Sequence, residues 1–226
     1  MKLSVFALLA IFVWPVAATA DLRSATAAFN RGEYEVAFPE LKRLAEKGNP
    51  KAQRMLAGMY EGGAGVQRDY AEAFRWYLHA ALKGDVIAQF MVAQMYYEGK
   101  GGPRNYGEAA NWYRKAAEKN HVYAQNNLGV LYEYGRGVPV AKKEALRWYL
   151  KAARNGVSEA GYRAGMLYAG GDGIPRDMVS AYGCFDVSAS KGNEESRKAR
   201  DSIAQQMSQD ELSRAKALSK RSAVSR

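Results

Sequence analysis

Residues 88–123 read AQFMVAQMYYEGKGGPRNYGEAANWYRKAAEKNHVY, and displacing the sequence by 36 residues in either direction returns the same text. The upstream copy, 52–87, is AQRMLAGMYEGGAGVQRDYAEAFRWYLHAALKGDVI, and the downstream copy, 124–159, is AQNNLGVLYEYGRGVPVAKKEALRWYLKAARNGVSE. A fourth copy, 160–195, keeps Tyr168, Gly173, Ala181 and Ala189 but has Gly183-Cys184-Phe185 in place of Arg-Trp-Tyr. A fixed period of this size marks an array of supersecondary units, none of which buries its apolar face without a neighbour. Function is therefore expected on the surface of a stack rather than in a single deep pocket.

Within each copy the apolar residues fall at helical spacing. Ala52, Leu56, Met59 and Tyr60 form an inward stripe on a first helix, which Asn49 and Pro50 are suited to open. Tyr70, Ala73, Phe74, Tyr77, Ala80 and Ala81 form the stripe of a second helix, expected from about Asp69 to Leu82. The glycine run after Glu61 recurs from Gly99 and from Gly135. No strand precedes these runs and no Gly-Lys-Ser/Thr follows, so they are helix-ending connectors and not phosphate loops. Gly84, Asn120, Gly156 and Gly192 close successive units. Trp76, Trp112 and Trp148 recur beside the alanines, which makes them core knobs rather than a sugar-stacking ladder. Cys184, at the same position, is expected to be a small buried hydrophobe.

The two ends depart from the pattern. Residues 1–20 combine Lys2, an apolar run from Leu3 to Trp14 and Ala18-Thr19-Ala20, which reads as a signal peptide cleaved before Asp21. That predicts a periplasmic or secreted protein, not an integral membrane protein. Residues 21–51 resemble a tetratricopeptide unit that caps the array. Residues 196–226 are expected to form C-terminal capping helices and a frayed basic tail, with Ser208 and Glu211 as a capping box for a helix ending near Ser219. The formal charge is +10. Such a balance favours acidic surfaces, and with an export signal those are envelope polymers, lipid headgroups or acidic protein patches rather than nucleic acid.

The arrangement A-x-x-x-L-G-x-x-Y, a Gly-rich loop, then Y-x-x-A-x-x-W-Y-x-x-A-A-x-x-G resembles the Sel-one-like repeat, a longer relative of the tetratricopeptide repeat. Leu128, Gly129, Tyr132, Gly135, Gly137, Ala145, Trp148, Tyr149, Ala152, Ala153 and Gly156 carry it in the clearest copy. The resemblance implies an all-α, right-handed α-solenoid of stacked helix-turn-helix repeats with a C-terminal capping helix, acting as a scaffold or adaptor for a protein partner. Cysteine-rich relatives are described as binding or hydrolysing β-lactams, but the paired cysteines of that branch are missing here.

In tetratricopeptide-like stacks the first helix of each unit lines the concave groove. Carried across the copies, its exposed positions give Arg54, Phe90, Gln94, Tyr97, Tyr123, Asn126, Tyr134, Tyr162 and Met166 as candidate partner-binding residues. An anionic envelope polymer held by the basic surface is the alternative partner. Only two histidines occur, His79 on the outer part of a second helix and His121 in an inter-repeat turn, and both read as solvated. No residue cluster has metal-ligand spacing, so no cofactor or metal is expected and the chain reads as a non-enzyme.

Overall fold

A computed structural model describes residues 21–224, with side chains through Ser219. The expected signal peptide, residues 1–20, lies outside the described residues. Within them the chain forms twelve helices and no strand: α1 (Leu22–Asn30), α2 (Tyr34–Glu46), α3 (Pro50–Gly62), α4 (Tyr70–Leu82), α5 (Val86–Glu98), α6 (Tyr106–Glu118), α7 (Val122–Tyr134), α8 (Lys142–Arg154), α9 (Ser158–Gly170), α10 (Met178–Ala189), α11 (Glu194–Ala204) and α12 (Gln209–Val224). From α1 to α11 consecutive helices pack on one another, the arrangement of an α-solenoid. None of the described helices is long and apolar enough to cross a membrane.

The helices start and stop on the period because their punctuation recurs. Asn49, Asp85, His121 and Asn193 each accept, through the side chain, the backbone N–H three residues on, at 3.0, 2.8, 3.2 and 2.7 Å. Asp69, Asn105 and Asp177 cap the second helices in the same way. The first helices end at Gly63, Gly99, Gly135 and Gly171, all in the left-handed region. Asn120, which closes the second repeat, is the one non-glycine residue with positive φ among the described residues. A second glycine in each connector has a stacking role. A Cβ on Gly101 would lie 2.3 Å from the Tyr70 carbonyl oxygen, and one on Gly137 would lie 2.2 Å from the Tyr106 carbonyl carbon, so each connector abuts the repeat before it.

The core is a column of small residues with aromatic knobs. Ala52, Ala88, Ala124 and Ala160 on first helices, and Ala73, Ala109, Ala145 and Ala181 on second helices, have no exposed surface. Trp76, Trp112 and Trp148 are buried beside them. Buried Gln53, Gln89 and Gln125 donate to the carbonyls of Ala45, Ala81 and Ala117 at 3.0, 3.1 and 3.1 Å, tying each first helix to the end of the helix before it. Tyr70 and Phe74 are only half-buried, at the edge of the expected stripe.

At the C-terminus, Ser208 N–H donates to Glu211 Oε2 at 2.9 Å and Glu211 N–H to Ser208 Oγ at 3.3 Å, forming the expected capping box. The helix it opens does not stop near Ser219. It continues to Val224, into the segment expected to fray, because no glycine or proline interrupts it. Helix α12 packs chiefly on α10: Ala215 is fully buried, and Ser219 donates to Asp186, which also accepts from Arg200 at 2.8 Å. Cys184 of α10 is half-buried rather than enclosed.

Two capping positions give measurable consequences. Ala141, before α8, has φ −148° and ψ 80°, close to the −145° and 98° of Asn105, but offers no side-chain acceptor. Ala141→Asp should therefore stabilise the fold by about 1 kcal/mol in chemical denaturation. His121 caps α7 through Nδ1, and burial holds its pKa below the usual imidazole value. Protonation would remove the acceptor and set a cation against the helix N-terminus. The unfolded chain takes up the proton first, so stability should be constant above about pH 6.5 and fall as the pH drops below it. His121→Asn, which caps without titrating, should flatten that slope.

Candidate functional site

Between α5 and α7 a cleft of about 190 Å³ is lined by Phe90, Gln94, Tyr97 and Glu98 of α5, Tyr113 of α6, and Asn127 and Val130 of α7. Three of the nine candidate residues, Phe90, Gln94 and Tyr97, thus meet in one place. They do so because they lie three or four positions apart on one helix face.

The cleft exists because the second repeat breaks a pairing kept by its neighbours. In the first and third repeats a buried tyrosine of the second helix donates to a glutamate of the first, Tyr77 to Glu61 at 2.9 Å and Tyr149 to Glu133 at 2.6 Å. In the fourth repeat the glutamate position is Ala169 and the tyrosine position is Phe185, so both polar groups are gone together. In the second repeat the glutamate position is Tyr97, yet Tyr113 keeps its hydroxyl. Burial pushes the Tyr113 pKa up to about 12, with a hydrogen bond from Asn127 acting against that shift. Its phenol is neutral at physiological pH and available as a donor in a cleft of mixed polar and apolar lining. Glu98 is held below the usual carboxylate range by the hydrogen bond from Lys100, with Gln94 Nε2 also donating to it at 2.9 Å.

Two aromatic clusters flank the cleft. Phe90 stacks on His121 with ring centroids 4.4 Å apart, and the Tyr123 ring lies 6.2 Å from that of His121. Arg136 donates to the Tyr97 hydroxyl, and its guanidinium lies 5.9, 6.0 and 5.7 Å from the ring centroids of Tyr97, Tyr106 and Tyr134. Tyr97 also packs edge-on against Tyr106 at 5.1 Å. Tyr123 and Tyr134 are 60% and 55% exposed, a large aromatic surface left in solvent.

The remaining candidates stand apart. Arg54 was expected to face solvent, but its guanidinium pairs with Asp85 at 3.1 Å, and both side chains are substantially covered. Asp85 caps α5, so the arginine reinforces a helix start. Asn126 donates to Asn127 Oδ1 at 3.2 Å, while its own Oδ1 is buried without a donor. Tyr162 lies against Phe185 at 5.9 Å, and Met166 is exposed on α9.

His121 was read as solvated and is instead a half-buried helix cap under Phe90. Arg136 was passed over as part of a glycine connector. Tyr113 occupies the position of Tyr77 in the buried stripe of its own repeat. The signal that marks Tyr113 is a pairwise one: the tyrosine persists in the copy where its glutamate is replaced. His79 is exposed beside Trp76 on α4. Among the described residues no group of three His, Cys, Asp or Glu side chains could hold a metal ion.

The Sel1 repeat model matches residues 50–85, 86–121, 122–157 and 158–193, the same period as the textual copies with boundaries two residues earlier. Two solved structures are similar over most of the chain. A Sel1 repeat protein from Oxalobacter formigenes is 32% identical, with 80% of this chain and 74% of that one covered and a TM-score of 0.71. The c5321 protein, a protective antigen present in uropathogenic Escherichia coli strains and displaying an SLR fold, is 30% identical at a TM-score of 0.77, with 90% of this chain covered. This chain spans only 46% of the length of c5321. No match was found among curated proteins. With four tandem matches over residues 50–193, the chain belongs to the Sel1 repeat family.

Proposed function

We propose that the chain is an exported, non-catalytic scaffold that holds a protein partner on the face formed by the first helices of its repeats, with the α5–α7 cleft as the anchor. Sel1 repeats form scaffolds that commonly mediate protein–protein interaction. The observation that carries the reading is the Tyr113 phenol, kept without its carboxylate beneath Phe90, Gln94 and Tyr97. An apolar side chain of the partner fits between Phe90 and Val130, and a partner carbonyl is the natural acceptor for the phenol. Exposed Tyr123 and Tyr134 extend the contact at low entropic cost. The signal sequence in residues 1–20 supports export to the periplasm or beyond, and the strongly positive charge, which remains after Lys2 is removed with it, supports fast capture of an acidic partner.

The mature protein, tagged and recovered from cells after mild crosslinking, should retain a discrete set of proteins. Phe90→Ala combined with Tyr97→Ala should reduce that retention by roughly 30-fold or more, the loss expected of two aromatic anchors. Because Phe90 and Tyr97 pack against the core, the double variant should melt somewhat lower, and retention is compared at a temperature where circular dichroism shows both proteins fully folded. Undiminished retention by the double variant contradicts the groove. Retention of polymer that collapses with added salt and survives the double variant transfers the function to the basic surface.

A further inference from the structure

The residue after the helix-ending glycine carries a charge in three connectors, as Lys100, Arg136 and Asp172. Two of these have a counter-ion within the chain: Lys100 pairs with Glu98 at 2.7 Å, and Asp172 pairs with Lys142. Glu98 ends α5, and its counterpart at the end of α7 is Tyr134, so Arg136 lacks the acid that Lys100 has. No carboxylate partner of Arg136 occurs among the described residues. Its guanidinium is held instead among the rings of Tyr97, Tyr106 and Tyr134 and donates to the Tyr97 hydroxyl. Ring faces orient a cation without removing its net charge, and one hydroxyl takes up only part of a guanidinium fork. Arg104, 5.9 Å from the Tyr106 centroid and donating to that hydroxyl at 3.4 Å, has no carboxylate partner among the described residues either. Glu98, the acid that lines the adjoining cleft, is taken up by Lys100 and Gln94.

We infer, on the reading that the α5–α7 cleft anchors a polypeptide partner, that Arg136 receives the carboxylate of an aspartate or glutamate on that same polypeptide, with Arg104 adding longer-range attraction. An exposed arginine ordinarily gains little from a carboxylate, because its flexible chain must first be ordered. Here the tyrosine contacts have already ordered it, so a charge-assisted, two-pronged hydrogen bond forms at low entropic cost. Tyr97 both lines the cleft and accepts from Arg136. The acid and the apolar anchor therefore lie within about four residues of each other in an extended segment, which rises about 3.3 Å per residue.

A random peptide library displayed on phage and selected against the full mature protein tests this. The enriched peptides should pair an aromatic or aliphatic residue with an Asp or Glu at a constant short separation. For the tightest of them, made as a soluble peptide, changing the acid to its amide should weaken binding about 10-fold, and Arg136→Gln should weaken the acidic form equally. The amide form should bind both proteins alike, a coupling that general charge attraction would not give. Arg136→Lys should recover only part of the loss, since it restores the charge without the fork. Circular dichroism establishes that the variants, changed at an exposed connector position, are folded. An enriched set without acids, no enriched set, or equal loss of acid and amide peptides in Arg136→Gln overturns the inference. So does dextran sulfate bound through Arg136 where no acidic peptide binds, which gives the arginine to a polyanion. Acid-free peptides lost in Phe90→Ala overturn it and leave the cleft standing, whereas full coupling to Arg136 in Phe90→Ala supports the arginine site and counts against the cleft.

Discussion

Every repeat meets the next across alanines that have no exposed surface, Ala52, Ala88, Ala124 and Ala160 on one row and Ala73, Ala109, Ala145 and Ala181 on the other. A methyl group at these places lets helix backbones approach closely, and anything larger would push neighbouring repeats apart, at a typical cost of 1–3 kcal/mol in overpacking. The spacing so set allows the other inter-repeat contacts. Gln53, Gln89 and Gln125 can reach helix-end carbonyls that also accept from the N–H groups of Gly48, Gly84 and Asn120. Lys119 reaches the Gly84 carbonyl at 3.0 Å, as Lys83 reaches that of Gly48. The connector glycines Gly101 and Gly137 can abut the preceding repeat only because the pitch is constant.

A strict period also gives its exceptions meaning. A position that packs in every repeat is constrained by the stack, whereas a position that changes in one repeat is released from it. Tyr97 in place of Glu61 and Glu133 leaves Tyr113 without the acceptor its counterparts have, and a cleft results. Cys184 in place of three tryptophans marks the last repeat, where α12 returns onto α10. In the fourth repeat the loss of the glutamate is matched by loss of the tyrosine hydroxyl, at Phe185, whereas the second repeat loses the glutamate alone.

The period made most of the fold legible before any coordinates. Asn49-Pro50 and Asp69 open helices as their residue types require, and the Gly-or-Asn positions from Gly84 to Gly192 adopt the left-handed conformation those residues tolerate. What escaped the sequence reading was aperiodic. The return of α12 onto α10 depends on Ala215 and on Ser219 meeting Asp186, contacts with no counterpart in other repeats. Arg54 looked free because its partner, Asp85, is 31 residues away and is itself a helix cap. Phe90, Gln94 and Tyr97 were legible as a helix face. Arg136 and His121, which hold the flanking aromatics, were not, because one sits in a connector and the other at a turn.

The account turns on one face of the stack carrying the partner, and a photo-reactive residue at position 97 in living cells tests that most directly, with a second probe at exposed His79 on α4 as its control. Discrete protein adducts at position 97 and none at position 79 are the predicted result. Polymer smears at both positions, or adducts at position 79 alone, would contradict it.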